Sequence, residues 1–287
     1  MFDRRSIGVI TLSAALCLST DCAQAFDDAR YPNWKGQWSR VTVPGMGGQP
    51  AFDPTKPWGP GQQAPLTAEY QKVLEDSMAD QAKGGLGNYP TARCLPGGMP
   101  RMMTFGEHEY VITPETTYIL IGGEDHFRRI FTDGRDWPTD VEPTYAGYSI
   151  GRWIDEDGDG RYDVLEVETT HFKGPRDFDV DGLPLHQDNQ TVIKERIFLD
   201  KANPDILRNE ITTYDHALTR PWTVSRFYKR EHHPIYEEYN CTEDNRWVAI
   251  GGELYLADSE GYLMPIQKGQ SAPDPKYLQK YFPQAKK

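Results

Sequence analysis

Beyond its first 25 residues the chain has no apolar run that could cross a bilayer as a helix, which takes about 20 such residues. Positive charge is in deficit: 31 Lys and Arg stand against 43 Asp and Glu, a formal net charge of -12. That argues against a nucleic-acid partner, because the phosphate backbone is met by a basic face. There is no HExxH helix, no CxxC pair and no glycine-rich phosphate cradle. Zincin chemistry, dithiol redox chemistry and nucleotide binding therefore have no motif to rest on, and no organic cofactor is implied. Repeats and low-complexity tracts are absent too, which sets aside solenoids and linkers.

Cysteine is scarce, with four in the chain, and two of them fall in the first 25 residues. There a charged start (MFDRR), an apolar core (SIGVITLSAALCLS) and a small-residue site (Ala23-Gln24-Ala25) follow in the order of an export signal. A lipid anchor on Cys22 is disfavoured by Thr20-Asp21 before it. The expected location is thus the periplasm or the exterior, after removal of the signal. Cys94 and Cys241 remain, and in an oxidising compartment they are expected to pair. The bridge would close a loop of roughly 147 residues, worth on the order of 4–5 kcal/mol in the chain-entropy treatment.

What the chain does have is 22 prolines, 26 glycines and a 12% share of aromatic residues. With few long periodic stretches, this composition points to strands, turns and long loops. Phe26–Pro65, with Trp34, Trp38 and Trp58, reads as an extended arm. Leu66–Lys83 is the one convincing helix: Thr67 can cap it, Glu69 sits in its first turn, and Tyr70, Val73, Leu74 and Met78 fall at helical spacing. From Glu107 onward short β-rich runs follow one another: His108–Thr113, Thr117–Gly122, Phe127–Thr132, Tyr148–Ile154, Tyr162–Phe172, Thr191–Leu199, Leu207–Tyr214 and Trp222–Lys229. Runs without helices between them favour an antiparallel meander, and closing it into a lipocalin-like β-barrel removes its edges. A β-sandwich has the same strand list and is the alternative. The expected organisation is a signal over residues 1–25, an arm plus helix packed on the barrel over 26–106, and the barrel over 107–287. A C-terminal hairpin and a short helix, Lys276–Phe282, end the chain.

The stretch from Gly147 to Phe172 carries the clearest chemistry. From Asp155, DEDGDGRYDVLE matches the calcium-loop spacing D-x-D-x-D-G-x5-E. Asp155, Asp157 and Asp159 would converge on the ion, Gly160 would permit the turn, Arg161 would offer its carbonyl and Glu166 would stand at the bidentate position. Strands rather than helices flank this loop, so Asp163 or water would complete the shell if Glu166 points away. An all-oxygen set selects Ca2+, in a structural role.

Other motifs are weaker. Gly147-Tyr148-Ser149-Ile150-Gly151 spells the nucleophile elbow, but a serine hydrolase needs a helix directly after it, and an acidic loop follows instead. His171 continues the face of Leu165, Val167 and Thr169, while His186 lies with Asp188 in LPLHQDNQ. Glu195 and Arg196 are neighbours on one strand and must point to opposite faces, which puts charge on the inner side.

Two further stretches, CLPGGMPR (Cys94–Arg101) and RRIFTDGR (Arg128–Arg135), join GYSIGRW, VETT, the Glu195-Arg196 pair and TRPWT in order along the chain. Over roughly Cys94 to Gln270 this resembles a group of exported bacterial β-rich proteins with no settled activity. The resemblance implies a β-rich fold and supplies neither substrate nor catalytic residues. The long DEDGDGRYD loop stands where that group has a tight turn, so calcium is a trait of this chain alone.

Two functional classes follow. In the first, a small-molecule pocket serves a cofactor-free acid–base enzyme of lyase, hydratase or isomerase type, with His171, His186 and Glu195 moving protons. Arg129 and Arg196 would hold an anionic group, with Trp222 as a further substrate contact. In the second, the same barrel carries a small apolar ligand unchanged. An envelope interaction protein using the aromatic arm is a third.

Overall fold

The computed structural model describes residues 27–41, 64–104, 106–122, 126–178, 182–235, 241 and 246–276. The expected export segment, most of the aromatic arm and all but the first residue of the expected C-terminal helix lie outside them. Among the described residues, nine strands close a barrel in chain order: β1 (Gln37–Val41), β2 (Glu107–Ile112), β3 (Thr116–Ile121), β4 (His126–Phe131), β5 (Tyr148–Ile154), β6 (Val164–Thr170), β7 (Val192–Leu199), β8 (Ile206–Tyr214) and β9 (Trp222–Glu231). The barrel expected over a sandwich is the one found.

Two features of its closure differ from the expected meander. The arm supplies a strand: β1 pairs with β2 on one side and with β9 on the other, and so joins the two ends of the sheet. Five residues in a Pro- and Gly-rich setting give no local sign of this, because their partners lie far along the chain. Secondly, strands that alternate in direction can ring-close antiparallel throughout only when their number is even. Nine is odd, and the parallel junction falls between β4 and β5, with Ile130 opposite Ser149. A parallel neighbour requires a long return connection, here residues 132–147.

Strand periodicity sorts the side chains. Ile119, Ile130, Leu165, Ile193, Ile197, Leu207, Ile211 and Val224 are buried in one core. The outer face carries a row that alternates in sign across four strands, Arg152–Glu166–Arg196–Glu210, in direct register. A furrow of ≈ 450 Å³ runs along this wall. Opposite charges on facing positions support each other, so the row stiffens the wall.

One end of the barrel is sealed. Helix α1 (Ala68–Gln81) is capped by Thr67, whose hydroxyl accepts from the Tyr70 N–H at 3.3 Å. It buries Tyr70, Leu74 and Ser77, whereas Val73, expected on the core face, is exposed. Ser77 fits the buried stripe because its hydroxyl bonds Asn88. Met99, Met102 and Met103 join the same core, and the Tyr228 hydroxyl donates to the Met103 carbonyl. Cys94 and Cys241 are bridged. Beyond the barrel, β10 (Trp247–Ile250), β11 (Glu253–Ala257) and β12 (Leu263–Pro265) form a separate three-stranded sheet, one strand more than the expected hairpin. Among the described residues no helix is long and apolar enough to cross a membrane.

Candidate functional site

The opposite end of the barrel is covered by residues 27–36, and what holds them there can be followed bond by bond. Arg230, near the end of β9, donates to the carbonyls of Asn33 (2.7 Å) and Lys35, stacks over the Trp38 ring at 4.2 Å and donates to Asp205 at 3.0 Å. The Arg30 carbonyl accepts from the Tyr162 N–H at 2.7 Å, which ties the segment to the acidic loop. Aromatic rings fill the space between: Trp34 against Tyr110 (5.1 Å) and Trp153 (4.9 Å), and Tyr31 against Trp153 (5.3 Å) and Tyr162 (5.1 Å).

Between this segment and the end of β2 lies a cavity of ≈ 660 Å³, bordered by Tyr31, Trp34, Lys35, Tyr110, Ile112 and Arg161. Trp34 is 1% exposed and Tyr110 6%. Among the described residues, the Trp34 indole N–H, the Trp153 indole N–H and the Tyr110 hydroxyl are buried without a hydrogen-bond partner. Burial pushes the Tyr110 phenol well above its ordinary range, with the neighbouring Tyr228 and Glu195 adding to the effect, so it stays a protonated donor.

Deeper in the barrel, Glu195 and Arg128 form a buried bidentate pair. Arg128 also donates to Ser149 (3.2 Å) and Thr169 (2.8 Å), and Asn209 donates to Glu195 at 2.9 Å. Both carboxylate oxygens and four of the five guanidinium N–H groups are engaged. Such a pair sets the shape of an interior; it does not leave a free proton acceptor.

The acidic loop curls as its spacing predicts. One oxygen each of Asp155, Asp157 and Asp159 lie within 4.8 Å of one another. Asp155 accepts from the N–H groups of Gly158 (2.7 Å) and Gly160 (2.9 Å), and both glycines have positive φ, as such a tight loop requires. These three residues fit a hard cation. Glu166 is turned outward to Arg152 (2.7 Å), Asp163 accepts from the Glu156 N–H (3.0 Å), and the Arg161 N–H donates to Asp159 (2.8 Å).

The remaining expected site residues are dispersed. His171 lies past the end of β6 with a positive φ, bonded to Thr170 and stacked on Trp137, so it leaves the inner face followed by Leu165, Val167 and Thr169. His186 is at the sealed end, stacked on Tyr70 at 5.1 Å. Arg129 is exposed over the Phe127 ring, and Arg196 reaches outward to Glu156. Trp222 is buried against Phe178 at 4.6 Å. Ser149, the serine of the elbow motif, lies within β5 as its second residue and holds Arg128; Gly151 is needed because a Cβ there would meet Ile130 at 2.6 Å. His171, His186 and Glu195 share no contact. Sequence reasoning took Arg129 where Arg128 faces inward, although Arg128 shares its strand face with the apolar Ile130. Trp34, Tyr110 and His216 were missed, having only tertiary partners to mark them.

Comparison with family models finds no match, and comparison with curated proteins finds none either.

Proposed function

We propose that this protein binds a small, partly aromatic molecule bearing an acceptor or anionic group in the cavity beneath the N-terminal segment, at the end of the barrel away from α1. The observation that carries the reading is a cavity walled by Trp34 and Tyr110, two residues whose indole N–H and hydroxyl are buried and without a partner among the described residues. Buried donors are nearly always matched, and a small rotation of either ring would turn its unmatched donor toward an acceptor in the cavity. Aromatic walls supply apolar contact, and Arg161 gives the rim a cationic group, whereas the Lys35 ammonium there is paired with Asp28 at 2.5 Å. Carriage ranks above acid–base catalysis because His171, His186 and Glu195 do not converge, and general acid–base chemistry requires groups within reach of one substrate. The reading includes export, which agrees with the Cys94–Cys241 bridge. It also includes structural Ca2+ held by Asp155, Asp157 and Asp159, in the same loop as Arg161.

Titration with the fluorescent aromatic anion 8-anilinonaphthalene-1-sulfonate tests the pocket. Saturable binding of one molecule per chain is expected, weakened by roughly 10–100-fold in Tyr110→Phe and in Arg161→Ala, since one lost hydrogen bond to a charged group is worth about 1.5–3 kcal/mol. Binding that neither substitution changes would overturn the assignment.

A further inference from the structure

We infer that His186, Asp188 and His216 form a second metal site, at the sealed end of the barrel, that takes a divalent ion of the zinc class. One ligand atom from each of the three residues lies within 4.8 Å of the others. The Asp188 carboxylate sits between two imidazoles, 3.0 Å from His186 Nδ1 and 2.5 Å from His216 Nδ1.

The fold brings them together through strand register. Val192 at the start of β7 faces Tyr214 at the end of β8, so the loop entering β7 and the turn leaving β8 are neighbours. The loop is then held from three sides. Asp215 accepts from the His186 N–H (2.9 Å) and from the Thr191 hydroxyl (2.5 Å), and Arg176 donates to that same hydroxyl (2.7 Å). Tyr70 of α1 stacks on the His186 ring, and its hydroxyl accepts from the Gln187 N–H at 3.2 Å. Gln190 N–H fixes one oxygen of Asp188 at 3.0 Å. The cluster is therefore supported by groups that do not themselves belong to it, as metal ligands are.

A second observation points to a cation. His186 Nδ1 lies 3.1 Å from the Asp188 N–H and 3.0 Å from an Asp188 carboxylate oxygen. If that nitrogen is protonated it faces a donor; if it is not, its lone pair faces an anion. Neither state satisfies both contacts, whereas a cation shared by the nitrogen and the carboxylate oxygen removes the lone-pair repulsion, at the expense of the weaker bond from the Asp188 N–H. Two imidazoles and a carboxylate select zinc and the late first-row divalent ions over calcium or magnesium. Three protein ligands leave a coordination position for water. The cluster is half-buried to exposed, so an ion has access.

The test uses untagged, chelator-treated protein in excess Ca2+, which occupies the acidic loop, titrated with Zn2+ by calorimetry. One Zn2+ per chain is expected. His216→Ala, a change at an exposed side chain, should weaken binding by about 10–100-fold or more, as should Asp188→Asn, with far-UV circular dichroism unchanged. Asp157→Ala should leave it unaltered. Co2+ substitution should give visible d–d absorption that His216→Ala abolishes. Absence of stoichiometric Zn2+ binding, or binding indifferent to both His216→Ala and Asp188→Asn, would overturn the assignment.

Discussion

Glu195 and Arg128 face each other across the barrel interior with 0% and 1% of their side chains exposed, and Ser149, Thr169 and Asn209 supply further bonds to the pair. A buried ion pair is costly to break from one side because the surviving charge is left without a partner. Glu195→Ala should therefore lower unfolding stability by about 3–5 kcal/mol in denaturant melts. The pair Arg128→Met with Glu195→Leu should recover most of that loss; a double variant no more stable than the single one would show the pair to be a net stabiliser. Asp205 makes a different case, at the surface. Hydrogen bonds from His232 and then Arg230 hold its carboxyl below the ordinary aspartate value of about 3.9. The folded state thus favours the charged form, and the unfolded state binds more protons in the acid range. This contribution is complete above the ordinary value and disappears as pH falls through the lowered one. Asp205→Asn should narrow the difference in melting temperature between pH 6 and pH 3, because the carboxyl that titrates is gone.

Among the elements, the acidic loop and the N-terminal segment act together. Tyr162 bonds Arg30 and packs on Tyr31, so the loop that would hold Ca2+ is also a wall of the cavity. Ca2+ should raise the melting midpoint of chelator-treated protein, and Asp157→Ala should abolish the increment, as read by differential scanning fluorimetry. Glu166→Gln should leave the increment intact, since Glu166 bonds Arg152 on the outer wall. Loss of the increment in Glu166→Gln would mean that the glutamate swings in to complete the shell. The curl of the acidic loop was legible from its spacing alone, because it is a local structure built from carboxylates at alternate positions and the glycines between them. The role of Glu166 was not, because it depends on the strand register that sets Arg152 beside it.

For the molecule as a whole, closure of the barrel rests on β1. Ser39 is paired on both sides, with Glu107 and with Lys229. Proline at such a position removes a ladder hydrogen bond and clashes with its neighbours. Ser39→Pro should open the seam, expose the edges of β2 and β9 and show as aggregation in light scattering, while Ser39→Thr should remain monodisperse. Equal behaviour of the two variants would show that the seam does not depend on β1.

The β character, the helix with its Thr67 cap, the acidic loop and the pairing of Cys94 with Cys241 could all be read from the order of residues. Each of these rests on local periodicity, on spacing, or on there being only two cysteines to pair. Tertiary structure alone decided that the arm closes the barrel, that one junction is parallel, that Arg128 and not Arg129 meets Glu195, and that His216 joins His186 and Asp188. The physical reason is the same in each case. Which face a strand residue takes, and which residues from distant segments meet, follows from the register between strands, and register is fixed only when the ring closes and its inner face is buried.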